Sequence, residues 1–202
     1  KYICFQLPGN AHLTVHLRMT GKLLEHLTEK DEKYLRVTLE FKDNKKLYFV
    51  DVRKFGQVVY WPPNEPLLPK LGPEPLDKET VLKTLAEKNT TRFIKTVLLD
   101  QYVLAGVGNI YADESLFRAG IHPEQRLDKV KKKKLRLLSA EIPGVLHQAI
   151  ENNGTTISDY RTPDAGSGGH QAFLKVYGRE GQTCYTCGTI IRRIKINGRS
   201  SH

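Results

Sequence analysis

Six of the ten prolines in this 202-residue chain fall between Pro62 and Pro75, at positions 62, 63, 66, 69, 73 and 75. Proline fixes φ and removes a backbone donor, so neither a helix nor a central strand can run through such a stretch. The segment predicts a linker over 63–76 with folded chain on both sides. The hydrophobic patterns on the two sides differ. Before it, short apolar or alternating runs predict strands over Tyr2–Leu7, Leu13–Leu17, Leu35–Phe41, Leu47–Asp51 and Gln57–Trp61, with turns at Pro8-Gly9-Asn10 and Asp43-Asn44. After it, apolar residues three and four apart predict helices over Lys78–Lys88, Arg92–Asp100, Asn109–Ala119, Leu127–Ser139 and Val145–Asn152. Pro143-Gly144 separates the last two and is expected to kink or restart the helix. From Asn153 to Ala172 the chain is polar and glycine-rich, as in a mobile loop, and strand-like runs return from Phe173.

With 39% hydrophobic residues the chain has enough apolar surface for a core, and no run is long enough to span a bilayer. Three cysteines, Cys4, Cys184 and Cys187, do not make a disulfide framework, and the cytosol is expected. The net charge of +10 is uneven: the last 42 residues hold seven Lys or Arg against two Asp or Glu. Such a concentration suits a polyanion, because each cation that meets a phosphate releases counterions. The Lys131–Lys134 run lies outside the motifs below and is taken as a solvated helix face.

Two local patterns carry chemistry. In Cys184-Tyr185-Thr186-Cys187-Gly188 the spacing lets two thiolates grip one tetrahedral zinc, and the basic residues Arg192, Arg193, Lys195 and Arg199 follow. It is half of a zinc ribbon, with His202 the only later residue able to add a ligand; a redox pair or two unpaired thiols are the alternatives. The second pattern runs from Asp100 to Ser115 and places Gly106 and Gly108 just before a helix opening at Asn109. Glycines allow close backbone approach, and free N–H groups at a helix start attract phosphate. Asn109 could equally be an ordinary helix cap.

The run Gly106–Phe117, GVGNIYADESLF, followed by Ala119-Gly120-Ile121-His122-Pro123, resembles the helix-two-turn-helix of the formamidopyrimidine-DNA glycosylase family. Lys1-Tyr2, His16–Gly21, Asp51–Gly56, Leu71–Leu76, Val176–Arg179 and Gly198-Arg199 agree with the family in order along the whole chain. The resemblance implies an α+β architecture: an antiparallel β-sandwich over 1–62, the linker 63–76, a helix-two-turn-helix domain over 77–160, a mobile lesion-recognition loop over 161–172, and a partial β-hairpin zinc finger over 173–202 with one structural zinc on Cys184 and Cys187.

It also implies a bacterial, cytoplasmic, nucleoid-associated and monomeric DNA repair enzyme. Such an enzyme excises 8-oxoguanine and formamidopyrimidines from duplex DNA and cuts the abasic site through a Schiff base. Lys1 and Arg199 match catalytic positions of the family, and His16 and Asn109 complete with them a clamp on the phosphates. Met19 and Phe55 match apolar wedges that fill the hole left by the extruded base, and Arg53 matches the partner of the orphaned base. Core packing is the alternative for Met19 and Phe55. Tyr34 and Thr90 align with DNA contacts that are basic or imidazole in many relatives, and both depart from that pattern. The family nucleophile is an N-terminal proline beside a glutamate. This chain starts at Lys1, so it is expected to lack that first segment and a second cysteine pair. The competing expectations are a non-catalytic relative that binds damaged DNA and a zinc-ribbon RNA-binding protein.

Overall fold

A computed structural model of the chain describes residues 2–65, 71–157, 160–164 and 166–202. It divides into two compact units, Lys1–Pro69 with Asn152–Gln171, and Lys70–Glu151 with Ala172–His202.

The first unit carries strands β1 (Ile3–Gln6), β2 (His12–His16), β3 (Gly21–Leu24), β4 (Leu35–Glu40), β5 (Lys46–Asp51) and β6 (Gln57–Trp61), with a short helix α1 (Glu29–Glu32). They form two antiparallel sheets of order β1-β2-β6 and β3-β5-β4. The alternation seen in sequence is visible in β4, where every second residue turns away from solvent. Val15, Leu24, Phe49 and Val50 are buried. Strand β3 and helix α1 were not anticipated; β3 is four residues long and opens on a glycine, too short to show a period. The segment 152–171 groups with these strands: Glu25 N–H donates to the Pro163 carbonyl, and within the segment Gly169 N–H donates to the Asn152 carbonyl.

The second unit holds α2 (Lys78–Ala86), α3 (Ile94–Leu99), α4 (Asn109–Ala119), α5 (Lys132–Glu151) and the hairpin β7 (Ile194–Ile196) and β8 (Arg199–Ser201). Asp77 caps α2 by accepting the Thr80 N–H, and Gly120 ends α4 in the left-handed conformation. Val81, Leu85, Ile94, Leu98, Leu116, Leu138 and Ile142 form its core. The expected restart at Pro143-Gly144 is absent: α5 runs through it for 20 residues as one helix, and only Leu127–Lys129 stands apart as a 3-10 turn. Leu138, Ile142, Val145 and Ala149 are buried along one face, and α5 packs on α2 and α4. That burial outweighs the roughly 3 kcal/mol cost of an interior proline. The described parts of the expected linker, 63–65 and 71–76, have no regular element, but 71–76 is not free chain. Gly72 donates to the Gln101 carbonyl and the Pro73 carbonyl accepts from Ala105.

The C-terminal segment is anchored to α4. Glu114, buried at 1% exposure, accepts the backbone N–H groups of Lys175, Val176 and Tyr177 at 2.8 to 2.9 Å. Val176, Cys184 and Ile191 cluster with Phe117 of the same helix. Replacing Glu114 with alanine leaves three backbone donors without their acceptor. The change is expected to cost about 3 kcal/mol or more, measured as a loss in unfolding free energy by chemical denaturation.

Candidate nucleic-acid interface

In the first unit, strand register builds the site. His16 of β2 pairs with Gln57 of β6, and Gly21 of β3 pairs with Asp51 of β5. The loops 17–20 and 52–56 therefore leave neighbouring strand ends together. Asp51 knots them: it accepts the Thr20 hydroxyl at 2.6 Å, the Gly56 N–H at 2.7 Å and the Arg53 N–H at 3.3 Å, and it is 1% exposed. Burial pushes its carboxyl up, but the Thr20 hydroxyl and the N–H groups of Gly56, Arg53 and Phe55 outweigh it and hold Asp51 below the usual carboxylate range. The loops need tight turns, with positive φ at Arg18 and Lys54. A side chain at Gly56 would collide with the Phe49 ring.

On this frame Met19 is 75% and Phe55 64% exposed, and the Arg53 guanidinium lies 5.9 Å from the Phe55 ring centroid. Core packing is thereby excluded for Met19 and Phe55. His16 is partly buried, its Nδ1 accepts the Arg18 N–H at 3.0 Å, and its ring meets Tyr2 edge to face. Burial foremost, with the Arg18 charge adding, lowers its pKa, which favours a neutral ring carrying its proton on Nε2.

In the second unit the loop Asp100–Gly108 leads into α4. Gly108, not Asn109, is the N-cap, and Asn109 is the first helical residue. Its side chain does not cap the helix; Nδ2 donates to the Ser200 carbonyl at 3.0 Å. Ser200 follows Arg199 in a hairpin whose two-residue turn, Asn197-Gly198, has φ of 47° and 79°, the left-handed pair that suits a tight β-turn. Lys95, fully buried, donates to the same Ser200 carbonyl at 2.7 Å and pairs with Asp113 at 2.6 Å. Burial pushes the Lys95 ammonium below the ordinary lysine value against the opposing pull of Asp113. Arg199, Arg92, Thr96 and Asn197 line a cleft of about 240 Å³. The structure thus joins Asn109 to the Arg199 strand within one unit.

The profile of the formamidopyrimidine-DNA glycosylase N-terminal domain matches residues 1–58, and that of the family's helix-two-turn-helix domain matches residues 71–161. A formamidopyrimidine-DNA glycosylase of Synechococcus sp. is 45% identical over 93% of this chain and 70% of its own length. One from Nostoc sp. is 42% identical over 100% and 77%. The chain belongs to the formamidopyrimidine-DNA glycosylase family. Among solved structures, the MutM (Fpg) protein of Thermus thermophilus superposes with a TM-score of 0.88 at 39% identity, covering 100% of this chain and 77% of that one. The Lactococcus lactis Fpg in complex with DNA containing Fapy-dG gives 0.85 at 36%, covering 100% and 76%.

The remaining family positions are distributed as follows. Lys1 lies outside the described residues. Tyr34 accepts the Asp51 N–H through its carbonyl and packs its ring under Lys33, and Thr90 accepts the Arg92 N–H. In the cysteine knuckle, backbone N–H groups of Thr186 and Cys187 lower the Cys184 thiol below its ordinary value. Thr186 N–H lies 3.4 Å from Cys184 Sγ, and Gly188 at φ 71° lets the chain turn back. Arg179 braces this turn by donating to the Thr183 carbonyl and stacking on Tyr185. The Thr186 and Cys187 N–H groups turn toward one sulfur of the pair, Cys184 Sγ. His202 is engaged elsewhere, with Nδ1 3.4 Å from Asp113, and no group of three metal-binding side chains occurs among the described residues. Lys134 of the basic run donates to the Ala119 carbonyl at the end of α4.

Sequence reasoning gave no role to Asp51, Lys95 or Asp113, although Asp51 and Asp113 fall within the blocks Asp51–Gly56 and Gly106–Phe117. The signal for Lys95 was a charged residue on an otherwise apolar face, in Phe93–Leu99. Because the Asp51 pKa is lowered on folding, its contribution is complete above the unfolded value of about 4 and disappears as pH falls through the lower folded value. Denaturation at pH 7 and pH 3 is expected to show Asp51→Asn about 2 kcal/mol less stable than the parent at the higher pH, with a smaller gap at the lower.

Proposed function

We propose that this protein is a DNA repair glycosylase and abasic-site lyase that removes oxidised purines, 8-oxoguanine and formamidopyrimidines, from duplex DNA. The observation that carries the reading is 42 to 45% identity over 93 to 100% of the chain to proteins of that name. Each unit supplies matching chemistry. In the first unit, Phe55 and Met19 offer exposed apolar surface to fill a vacated base position, with Arg53 beside them to meet the orphaned base. In the second, Arg199 and the remaining N–H of Asn109 offer donors to backbone phosphates, and His16 offers a neutral one from the first unit.

The reaction proceeds through an amine. In the family's pattern this is an N-terminal proline. Its nitrogen bonds to the sugar C1′ as the base leaves with the bonding pair; the nitrogen gives up its proton, and the C1′–O4′ bond then breaks, O4′ taking a proton, to give the ring-opened iminium. The iminium acidifies the C2′ hydrogen, so β-elimination expels the 3′ phosphate, and δ-elimination then expels the 5′ phosphate. Arg199 and Lys1 are assigned to these eliminations and to gripping the phosphates. Cys184 and Cys187 are assigned as two ligands of one structural zinc, which would brace the segment before Arg199 and take no part in the chemistry. The segment 161–172 is assigned as the loop that closes over the extruded base. In the cell the protein is assigned to the cytoplasm, acting at the nucleoid as a monomer.

Treated with borohydride on an 8-oxoguanine duplex, the full-length protein is expected to form a covalent adduct. Binding with neither adduct nor strand cleavage would make it a non-catalytic binder of damaged DNA. Metal analysis of the same preparation is expected to give one zinc per chain, and Cys184→Ser to abolish it.

A further inference from the structure

Helix α4 carries adjacent buried carboxylates with separate tasks. Glu114 holds the segment entering the C-terminal region, as described. Asp113 holds the segment leaving it: Oδ1 accepts from Lys95 Nζ at 2.6 Å and from the Ser201 hydroxyl at 2.8 Å, and Oδ2 accepts the His202 N–H at 3.1 Å. Asn109 stands four residues earlier, on the same face of α4. Strand β8 crosses that face so that Ser200 meets Asn109 and Lys95, while Ser201 and His202 meet Asp113.

We propose that Asp113 is a positioning residue for the strand-cleavage reaction, fixing Arg199 relative to Asn109 so that both phosphate-gripping side chains move as one body. The inference rests on the glycosylase and lyase reading above. Three residues in succession after Arg199 are held by directional bonds from α3 and α4, leaving β8 no freedom to slide or rotate. Hydrophobic contacts alone would not select one register, and an apolar pair of equal volume commonly holds a fold as well as a buried ion pair. What the ion pair adds at this place is direction, applied one residue away from the guanidinium that must meet a phosphate. Sequence shows none of this, because Lys95, Asp113 and Ser201 are far apart in the chain.

The test uses the full-length protein on duplex DNA with a single abasic site, in single-turnover cleavage. The rate of complete β,δ product is separated from that of β product alone, and thermal unfolding is followed in parallel. Ser201→Ala removes one bond to Asp113 and leaves the ion pair. The double variant Lys95→Met with Asp113→Leu removes the hub while avoiding an unpaired buried charge. The double variant is expected to melt close to the parent temperature, yet to form β,δ product on the order of tenfold to a hundredfold more slowly, with β product slowed less. Ser201→Ala should shift the ratio in the same direction by a smaller factor. A folded double variant with the parent rate and product ratio would overturn the proposal. If the double variant does not fold, an unchanged ratio in Ser201→Ala overturns it instead. Failure of the parent itself to cleave abasic or lesion DNA would remove the glycosylase reading, a distinct outcome.

Discussion

The Lys95–Asp113 pair, wholly withdrawn from water, is the constraint on which the second unit depends. Taking two charges out of water costs several kcal/mol per ion, and attraction alone does not reliably offset it. The cost is met only if the remaining hydrogen-bonding capacity of both groups is used. Here Lys95 turns to the Ser200 carbonyl, and Asp113 accepts from Ser201 and His202. The pair therefore dictates the path of the chain after Arg199. A slip of β8 by one residue would leave a buried ammonium and a buried carboxylate each short of a partner.

The first unit solves the same problem with a single carboxylate. Asp51 gathers the Thr20 hydroxyl and the amides of the loop that carries Arg53 and Phe55. In both units an acidic residue, buried and saturated with donors, sets the direction of the basic and apolar residues that meet DNA in the proposed function. This explains why counting charge along the chain points to a polyanion without locating the contact. The residues that decide the geometry are acidic and lower the very sum being counted.

Local patterns were legible wherever one element supplied the whole signal. The proline cluster separated a strand-rich part from a helical one. The bounds of α4 follow from apolar spacing between Gly108 and Gly120, and the motif blocks mark the family in the sequence alone. What stayed hidden depended on contacts between distant parts of the chain. Pro143 looked like a break because its cost is local, whereas the burial of Ile142, Val145 and Ala149 that outweighs it comes from α2 and α4. Asn109 looked like a cap because asparagine before a helical run usually is one. Only the folded position of Ser200 shows that its amide is used across the unit. Met19 and Phe55 could have filled a core on hydrophobicity alone, and nothing in their neighbours' spacing told inside from outside.

The exposure of Met19 and Phe55 gains meaning from the rigidity beneath them. A scattered apolar residue at a surface is ordinary and needs no special account. Two large ones on adjacent loops, with both loops tied to a single buried carboxylate, are a different case. Ordering a flexible loop on binding costs conformational entropy for each residue fixed, and that cost is subtracted from affinity. Here the ordering is done during folding, by Asp51 and by the left-handed turns at Arg18 and Lys54. A side chain that must enter a base stack works against the energy of unstacking, a few kcal/mol per step. It can do so only if little is lost in holding its own position. The buried carboxylate and the exposed phenyl ring are thus two ends of one device: the first supplies, in the fold, the order that the second needs at the DNA.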